Sequence, residues 1–314
     1  MQQTSKLLTI AIPTYNRSQK LVRLLAIIRK EIQSYELNEY IDILISDNSE
    51  NNLTKEAISD FSHREINLDY YKQPQNIGAD KNIFFLYEKC ITNYIWFISD
   101  DDCPLEGSLK KIISALVEKK PTVLLFSFIQ PPGSKDRQFN YSDKLHIIEN
   151  PISMIDSLLV FPKLSIYVMK KISFSEDQIK LLSNSQGEGW PFLYLGLNVL
   201  EKSTFPKIAI YSEALATADS SYTHIWVPEP FMHWHKLAGH PYIQKNNPGL
   251  ETKMKKQGYL QCILFSWAIR KGVLSIDDNK GLELFIKRLK WDFSVLFFHP
   301  KILLQFIFLK LRII

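Results

Sequence analysis

The chain has 314 residues, 46% of them hydrophobic, with 11 glycines and a formal net charge of +5. That length suits one large α/β domain with an appendage, or two small domains, and the glycine content excludes a low-complexity chain. Its three cysteines, Cys90, Cys103 and Cys262, are odd in number and form no C-x-x-C pair, which fits a reducing compartment rather than a disulfide framework.

Residues 7–12 are a short apolar run that predicts a buried strand, ended by Pro13. A helix is expected from Ser18, with Leu21, Leu24, Leu25, Ile28 and Ile32 on one face. Further strands are predicted over 41–45, 68–71, 94–98 and 123–128. Helices are predicted over 80–89 and 108–119, the second capped by Ser108. Strand and helix alternate, which implies an α/β fold: a mostly parallel sheet flanked by helices. Ligands of such sheets lie beyond the carboxyl ends of the strands. Polar residues cluster at those ends: Thr14, Tyr15, Asn16 and Arg17, then Asp47 and Asn48, then Asn76, then Asp100, Asp101 and Asp102.

The middle of the chain reads less plainly. Residues 130–150 form a polar stretch with Pro131-Pro132-Gly133 and are expected to be loop. A strand is predicted over 164–169, and a buried helix over 190–200 with Pro191 in its first turn. Residues 224–240 are rich in aromatics, prolines and histidines, which suggests a site-forming loop, and 259–270 reads as a helix. The domain reading is 1–245 for the α/β domain and 246–314 for a helical C-terminal region.

Three consecutive carboxylates after an apolar strand repel one another, and a cation relieves the repulsion. Asp100 and Asp102, as alternate residues, are expected to turn toward one ligand. Mg²⁺ or Mn²⁺ takes such oxygen ligands and bridges them to phosphates. The competing reading is a solvated acidic turn that caps the next helix.

The segments LTIAIPTYNR, DILISDNSENN, QNIGADKN and YIWFISDDDCPLEGSL resemble, in that order, the motifs of family-two inverting glycosyltransferases with the GT-A fold. Their phrasing is similar to bacterial O-antigen and capsule transferases of the abequosyltransferase-like group. The resemblance implies a donor site of Pro13, Tyr15, Asn16, Arg17, Asp47, Asn76, Gly78, Lys81, Asp100 and Asp101, with Asp47 toward the base. It implies a Mn²⁺ or Mg²⁺ ion on Asp100 and Asp102, with Asp102 the expected direct ligand, joined by His233 or His235. It also implies an acidic general base opening a helix. Glu188, in Gln186-Gly187-Glu188-Gly189-Trp190-Pro191, is the candidate, although Gly189 stands where a second acid is usual.

The implied reaction moves a sugar from a nucleoside-diphosphate-sugar to a saccharide acceptor, expected to be lipid-linked, during bacterial surface polysaccharide synthesis. The alternative is a catalytically weak nucleotide-sugar-binding component of a membrane assembly complex. A nucleotidyltransferase would need a glycine-rich loop after the first strand, which Pro13 to Arg17 lacks. Residues 287–314 mix six Lys and Arg side chains with Trp291, Phe293, Phe297, Phe298, Phe306 and Phe308. Charges interrupt the apolar residues too often for a spanning helix, so the segment is expected to lie in a membrane interface. The N-terminus shows no signal-peptide pattern. Together these place the protein in the cytoplasm, peripheral on the inner face of the cell membrane, with no nucleic-acid partner.

Overall fold

The computed structural model describes residues 6–59, 66–130, 132–175, 190–218 and 239–250, with residues 61, 237 and 252. The described residues fall into two compact units, one of those up to Ala218 and one of those from Leu237 onward.

The first unit is built on a nine-stranded sheet ordered β3-β2-β1-β4-β8-β6-β9-β5, with β7 also paired to β9. Its strands are β1 (Leu8–Thr14), β2 (Ile41–Asp47), β3 (Leu68–Lys72), β4 (Tyr94–Phe97), β5 (Asp102–Pro104), β6 (Val123–Ile129), β7 (His146–Ile148), β8 (Tyr167–Lys170) and β9 (Ile208–Ala218). The helices are α1 (Ser18–Ser34), α2 (Leu53–Ala57), α3 (Ala79–Lys89), α4 (Ser108–Lys119), α5 (Pro151–Leu159) and α6 (Pro191–Lys202). The pairs β2–β3, β1–β2 and β1–β4 are all parallel. Parallel strands are covered on both faces and therefore read as near-continuous apolar runs, which is how β1, β2 and β4 appear in the sequence, interrupted by Thr9 and Asp42. Beyond β4 the sheet turns mixed, with β8 antiparallel to both β4 and β6, and β6 parallel to β9.

The core sits where β1, β4, β6 and β8 adjoin. Trp96, Phe97, Phe126, Phe128 and Tyr167 are fully buried there. The Trp96 and Phe126 rings meet edge to face at 5.9 Å, and the indole N–H of Trp96 donates to the Ser165 carbonyl at 2.9 Å. Helix α1 buries the expected stripe of Leu21, Leu24, Leu25, Ile28 and Ile32, and with it Glu31.

That glutamate corrects one expectation. Ser108 does not cap α4. The cap position is Gly107, whose φ of +74° suits a residue without Cβ, and the Ser108 hydroxyl donates to the Leu215 carbonyl at 2.6 Å. The Glu31 carboxylate instead accepts from the Gly107 N–H at 2.9 Å and the Leu109 N–H at 3.3 Å. A carboxylate suits the positive end of a helix.

Other elements differ from expectation in detail. Residues 164–169 open with a 3₁₀ turn, Leu164–Ile166, before β8 begins. The stretch predicted as loop contains β7, and α5 follows it with Asn150 as a side-chain cap and Pro151 in the first turn. In the second unit α7 (Pro241–Asn246) is capped by His240, whose Nδ1 accepts from the Tyr242 N–H at 3.1 Å. Burial pushes the His240 imidazole down to about 4. Among the described residues, no helix is long and apolar enough to cross a membrane. The predicted helix 259–270 and the segment 287–314 lie outside the described residues.

Candidate active site

Because β1 lies between β2 and β4, the loops that follow these three strands emerge side by side. Asp47 ends β2 and is fully buried. Its Oδ1 accepts from the Ser49 N–H at 2.8 Å and the Ser49 hydroxyl at 2.5 Å. Its Oδ2 accepts from the Tyr70 hydroxyl at 2.8 Å, with Lys72 Nζ at 3.4 Å. The parallel register explains both partners, since Ile45 lies beside Tyr70 and Asp47 beside Lys72. Burial, then the hydrogen bond to Asp47, raises the Tyr70 phenol well above its usual range. Lys72 also donates to the carbonyls of Ser49 and Asn51, tying that loop to β3.

The β1 loop joins this network through Asn16, whose N–H donates to Ser49 Oγ at 2.8 Å. Asn16 holds φ at +54°, a conformation non-glycine residues seldom take outside turns and functional loops. The loop after β3 is drawn in as well. Asn76 Oδ1 accepts from the Gly78 N–H at 2.9 Å, and Asn48 Nδ2 donates to the Gly78 carbonyl at 3.1 Å. Gly78 has φ of +85° and caps α3, so a side chain there is strained. Lys81 stands exposed in the first turn of α3, Pro13 lies within β1 beside Ser46, and Tyr15 is exposed past the strand end.

The acidic triplet is divided differently from the expected alternation. Asp100 and Asp101 face the β1 loop together. Thr14 Oγ1 donates to Asp100 Oδ2 at 2.7 Å, and Arg17 Nη1 bridges Asp100 Oδ1 at 2.9 Å and Asp101 Oδ2 at 3.1 Å. Asp102 is instead the first residue of β5, opposite Ala218 of β9. Its Oδ2 accepts from Ser165 Oγ at 2.5 Å and pairs with Lys163 Nζ at 3.0 Å. Side-chain exposure follows this division: 18% for Asp101, 3% for Asp100 and 1% for Asp102.

Burial is the largest influence on all three carboxyls, but the outcomes differ. It raises Asp100 despite the opposing Arg17 charge and the Thr14 hydrogen bond. At Asp101 it is outweighed by the Ser99 hydrogen bond and the charges of Lys163, Arg17 and Lys20, so that carboxyl is held below its usual range. It raises Asp102 to about 6 even with Lys163 and Ser165 opposing.

This edge fits a Mg²⁺- or Mn²⁺-like ion in chemistry. It offers carboxylate oxygens on an accessible acid, Asp101, beside a buried one, Asp100, whose ionisation an added cation would favour. Among the described residues no cluster of three or more His, Cys, Asp or Glu ligands is assembled. Mg²⁺ sites at phosphates commonly use only one or two carboxylates. Asp102 Oδ1 is buried with no hydrogen-bond partner among the described residues, yet its sister oxygen is committed to Lys163. Glu188, His233 and His235 lie outside the described residues.

Sequence reasoning overlooked Tyr70, Lys72, Lys163 and Ser165. The first two carried a signal, because alternate residues of β3 share a face with the end of β2. Lys163 and Ser165 carried none, being some sixty residues from the acids they hold.

Residues 9–188 match glycosyl transferase family 2. The abequosyltransferase RfbV of Salmonella typhimurium (strain LT2) is 25% identical over 226 residues, which cover 70% of this chain and 60% of that protein. The matched stretch thus spans less than two thirds of that relative. Among solved structures, S. aureus TarS 1-349 superposes with a TM-score of 0.56 at 14% identity, covering 85% of this chain and 74% of that one. The same protein in complex with UDP gives 0.58 at 15% identity over the same shares. In complex with UDP-GlcNAc it gives 0.57 at 14% identity over 80% and 71%. The shared architecture is the GT-A fold, as the sequence motifs implied.

Proposed function

This chain belongs to glycosyl transferase family 2, and from that membership we propose an inverting, metal-dependent transferase that moves a sugar from a nucleoside diphosphate to a saccharide hydroxyl. The observation that carries the proposal is the convergence of Asp47, Arg17, Asp100 and Asp101 at the carboxyl edge of three adjacent parallel strands. Asp47 serves the base. Its carboxylate acceptors are already engaged, and the 3.4 Å contact from Lys72 is the longest of them, so that is the one a base N–H replaces. Tyr15, exposed beyond β1, offers a ring face to stack on the base.

Arg17 donates to the diphosphate, for which a guanidinium is well shaped. Asp100 and Asp101 hold the divalent ion, whose contribution when bound is to neutralise the leaving diphosphate. Asp102, expected from sequence to be a ligand, acts instead as a positioning residue, anchoring the turn through Lys163 and Ser165. Glu188 takes the proton from the acceptor hydroxyl, whose oxygen attacks the anomeric carbon from the face opposite the diphosphate. The C–O bond to the diphosphate breaks as the new glycosidic bond forms, so configuration inverts without a covalent enzyme intermediate. The acceptor is a lipid-linked saccharide of bacterial surface polysaccharide synthesis. The similarity to an abequosyltransferase and the basic, aromatic residues 287–314 support that reading.

Thermal stabilisation by a panel of nucleotide sugars with Mn²⁺ identifies the donor. Glu188→Gln then separates binding from chemistry. It should leave donor binding in place and cut turnover by about 10²–10⁴-fold, the usual worth of a general base. Wild-type turnover in that variant would move the base to Asp177, Asp219 or Glu229.

A further inference from the structure

We propose that Arg17 is the resident counter-ion of the acidic edge, displaced by the divalent cation and thereby released toward the donor diphosphate. The inference rests on the reading that Asp100 and Asp101 hold that cation. Its basis is the way Arg17 is mounted. The backbone is fixed: Asn16, at φ +54°, is held through its N–H by Ser49 Oγ, and the Arg17 carbonyl accepts the first hydrogen bond of α1, from the Leu21 N–H at 3.0 Å. The side chain, by contrast, is 48% exposed. Its Nη1 spans Asp100 Oδ1 and Asp101 Oδ2.

Those two oxygens are the ones left to a cation, because Asp100 Oδ2 already accepts from Thr14 and Asp101 Oδ1 from Ser99. A guanidinium and a divalent ion a few ångströms apart also repel each other. In the nucleotide-free enzyme Arg17 and the cation therefore compete. Once a diphosphate is present, the displaced guanidinium gains phosphate oxygens as partners. The antagonism then becomes support, so metal and nucleotide strengthen each other's binding through one side chain. Reciprocity of that kind is a thermodynamic requirement of linked binding. The acidic edge is thereby kept neutralised until a donor arrives.

The test is Mn²⁺ alone, titrated into nucleotide-free protein and followed by the EPR signal of the free ion. Wild type, Arg17→Met, Arg17→Lys and Asp101→Asn are compared, each checked for native circular dichroism. Removing a part-exposed charge pair from competition should tighten Mn²⁺ binding by about three- to tenfold in Arg17→Met. Arg17→Lys, which keeps a cation there, should stay near wild type, and Asp101→Asn should bind more weakly. If wild type binds Mn²⁺ and Arg17→Met binds it equally or less tightly, the displacement role is wrong although the metal reading stands. If none of the four proteins binds Mn²⁺, the cation reading itself falls, and this inference with it.

Discussion

Glu31 offers a sharp test of how the acidic edge is supported from below. Its buried carboxylate is the cap of α4, and α4 begins six residues after Asp102. Glu31→Ala leaves the Gly107 and Leu109 N–H groups without their acceptor. A buried donor stripped of its partner costs about 1–3 kcal/mol, and loss of the favourable charge at the helix end adds about 0.3–1 kcal/mol. The 3.3 Å bond to Leu109 is the weaker of the two, so a total of about 2–4 kcal/mol is expected. In a domain of this size that lowers Tm by roughly 5–15 °C. Glu31→Gln keeps the stem and one acceptor oxygen and should fall about midway. Urea unfolding followed by circular dichroism reads both variants. A Glu31→Ala protein within about 0.5 kcal/mol of wild type, the range of ordinary surface changes, would refute the capping argument.

Three further outcomes follow from burial and charge. Asp102 carries a carboxyl raised from 3.8 to about 6. Its stabilising contribution is therefore complete below about pH 4 and lost as pH rises through about 6, on the order of 3 kcal/mol. The urea stability of wild type relative to Asp102→Asn should decline across that window, and a pH-independent difference would contradict the burial argument. His240 has the opposite sign. Its imidazole is lowered from 6.5 to about 4, so its contribution is present above pH 6.5 and lost as pH falls through 4, again on the order of 3 kcal/mol. His240→Asn keeps a capping oxygen and should flatten that acid loss in urea titrations, whereas an unchanged acid profile would remove the role given to His240. Truncation after about residue 281 should turn a membrane-pelleting protein into one that stays in the supernatant. Each basic residue near an anionic surface contributes on the order of 1 kcal/mol, and equal partitioning of both forms would show that 287–314 is no interfacial anchor.

The parallel half of the sheet is readable because burial on both faces leaves β1, β2 and β4 as mainly apolar runs, each stopped by polar residues. Convergence at the carboxyl edge followed from that topology alone, and it brought Arg17 to Asp100 and Asp101 as the strand order requires. The mixed half was harder. β5 and β7 are three residues each and, among the described residues, pair only with β9. β9 pairs irregularly with β6 beyond Phe126, so no simple alternation marks it. Asn150-Pro151 is a legible helix start, a side-chain cap followed by a first-turn proline. The division of the acidic triplet was not legible at all, since it depends on Lys163 and Ser165 arriving from a distant turn. In sequence Glu31 is one more polar residue on a helix; only the fold shows that α4 starts on its carboxylate.

The central claim is that the edge formed by Asp100 and Asp101 supports transfer from a nucleotide sugar. The most direct measurement is release of nucleoside diphosphate from a panel of nucleotide sugars, with Mn²⁺ or with EDTA, by wild type and Asp101→Asn. The account predicts release from one class of donor by wild type with Mn²⁺, lost in EDTA and reduced by about two orders of magnitude or more in folded Asp101→Asn. Equal release in EDTA, or wild-type release by Asp101→Asn, would contradict it.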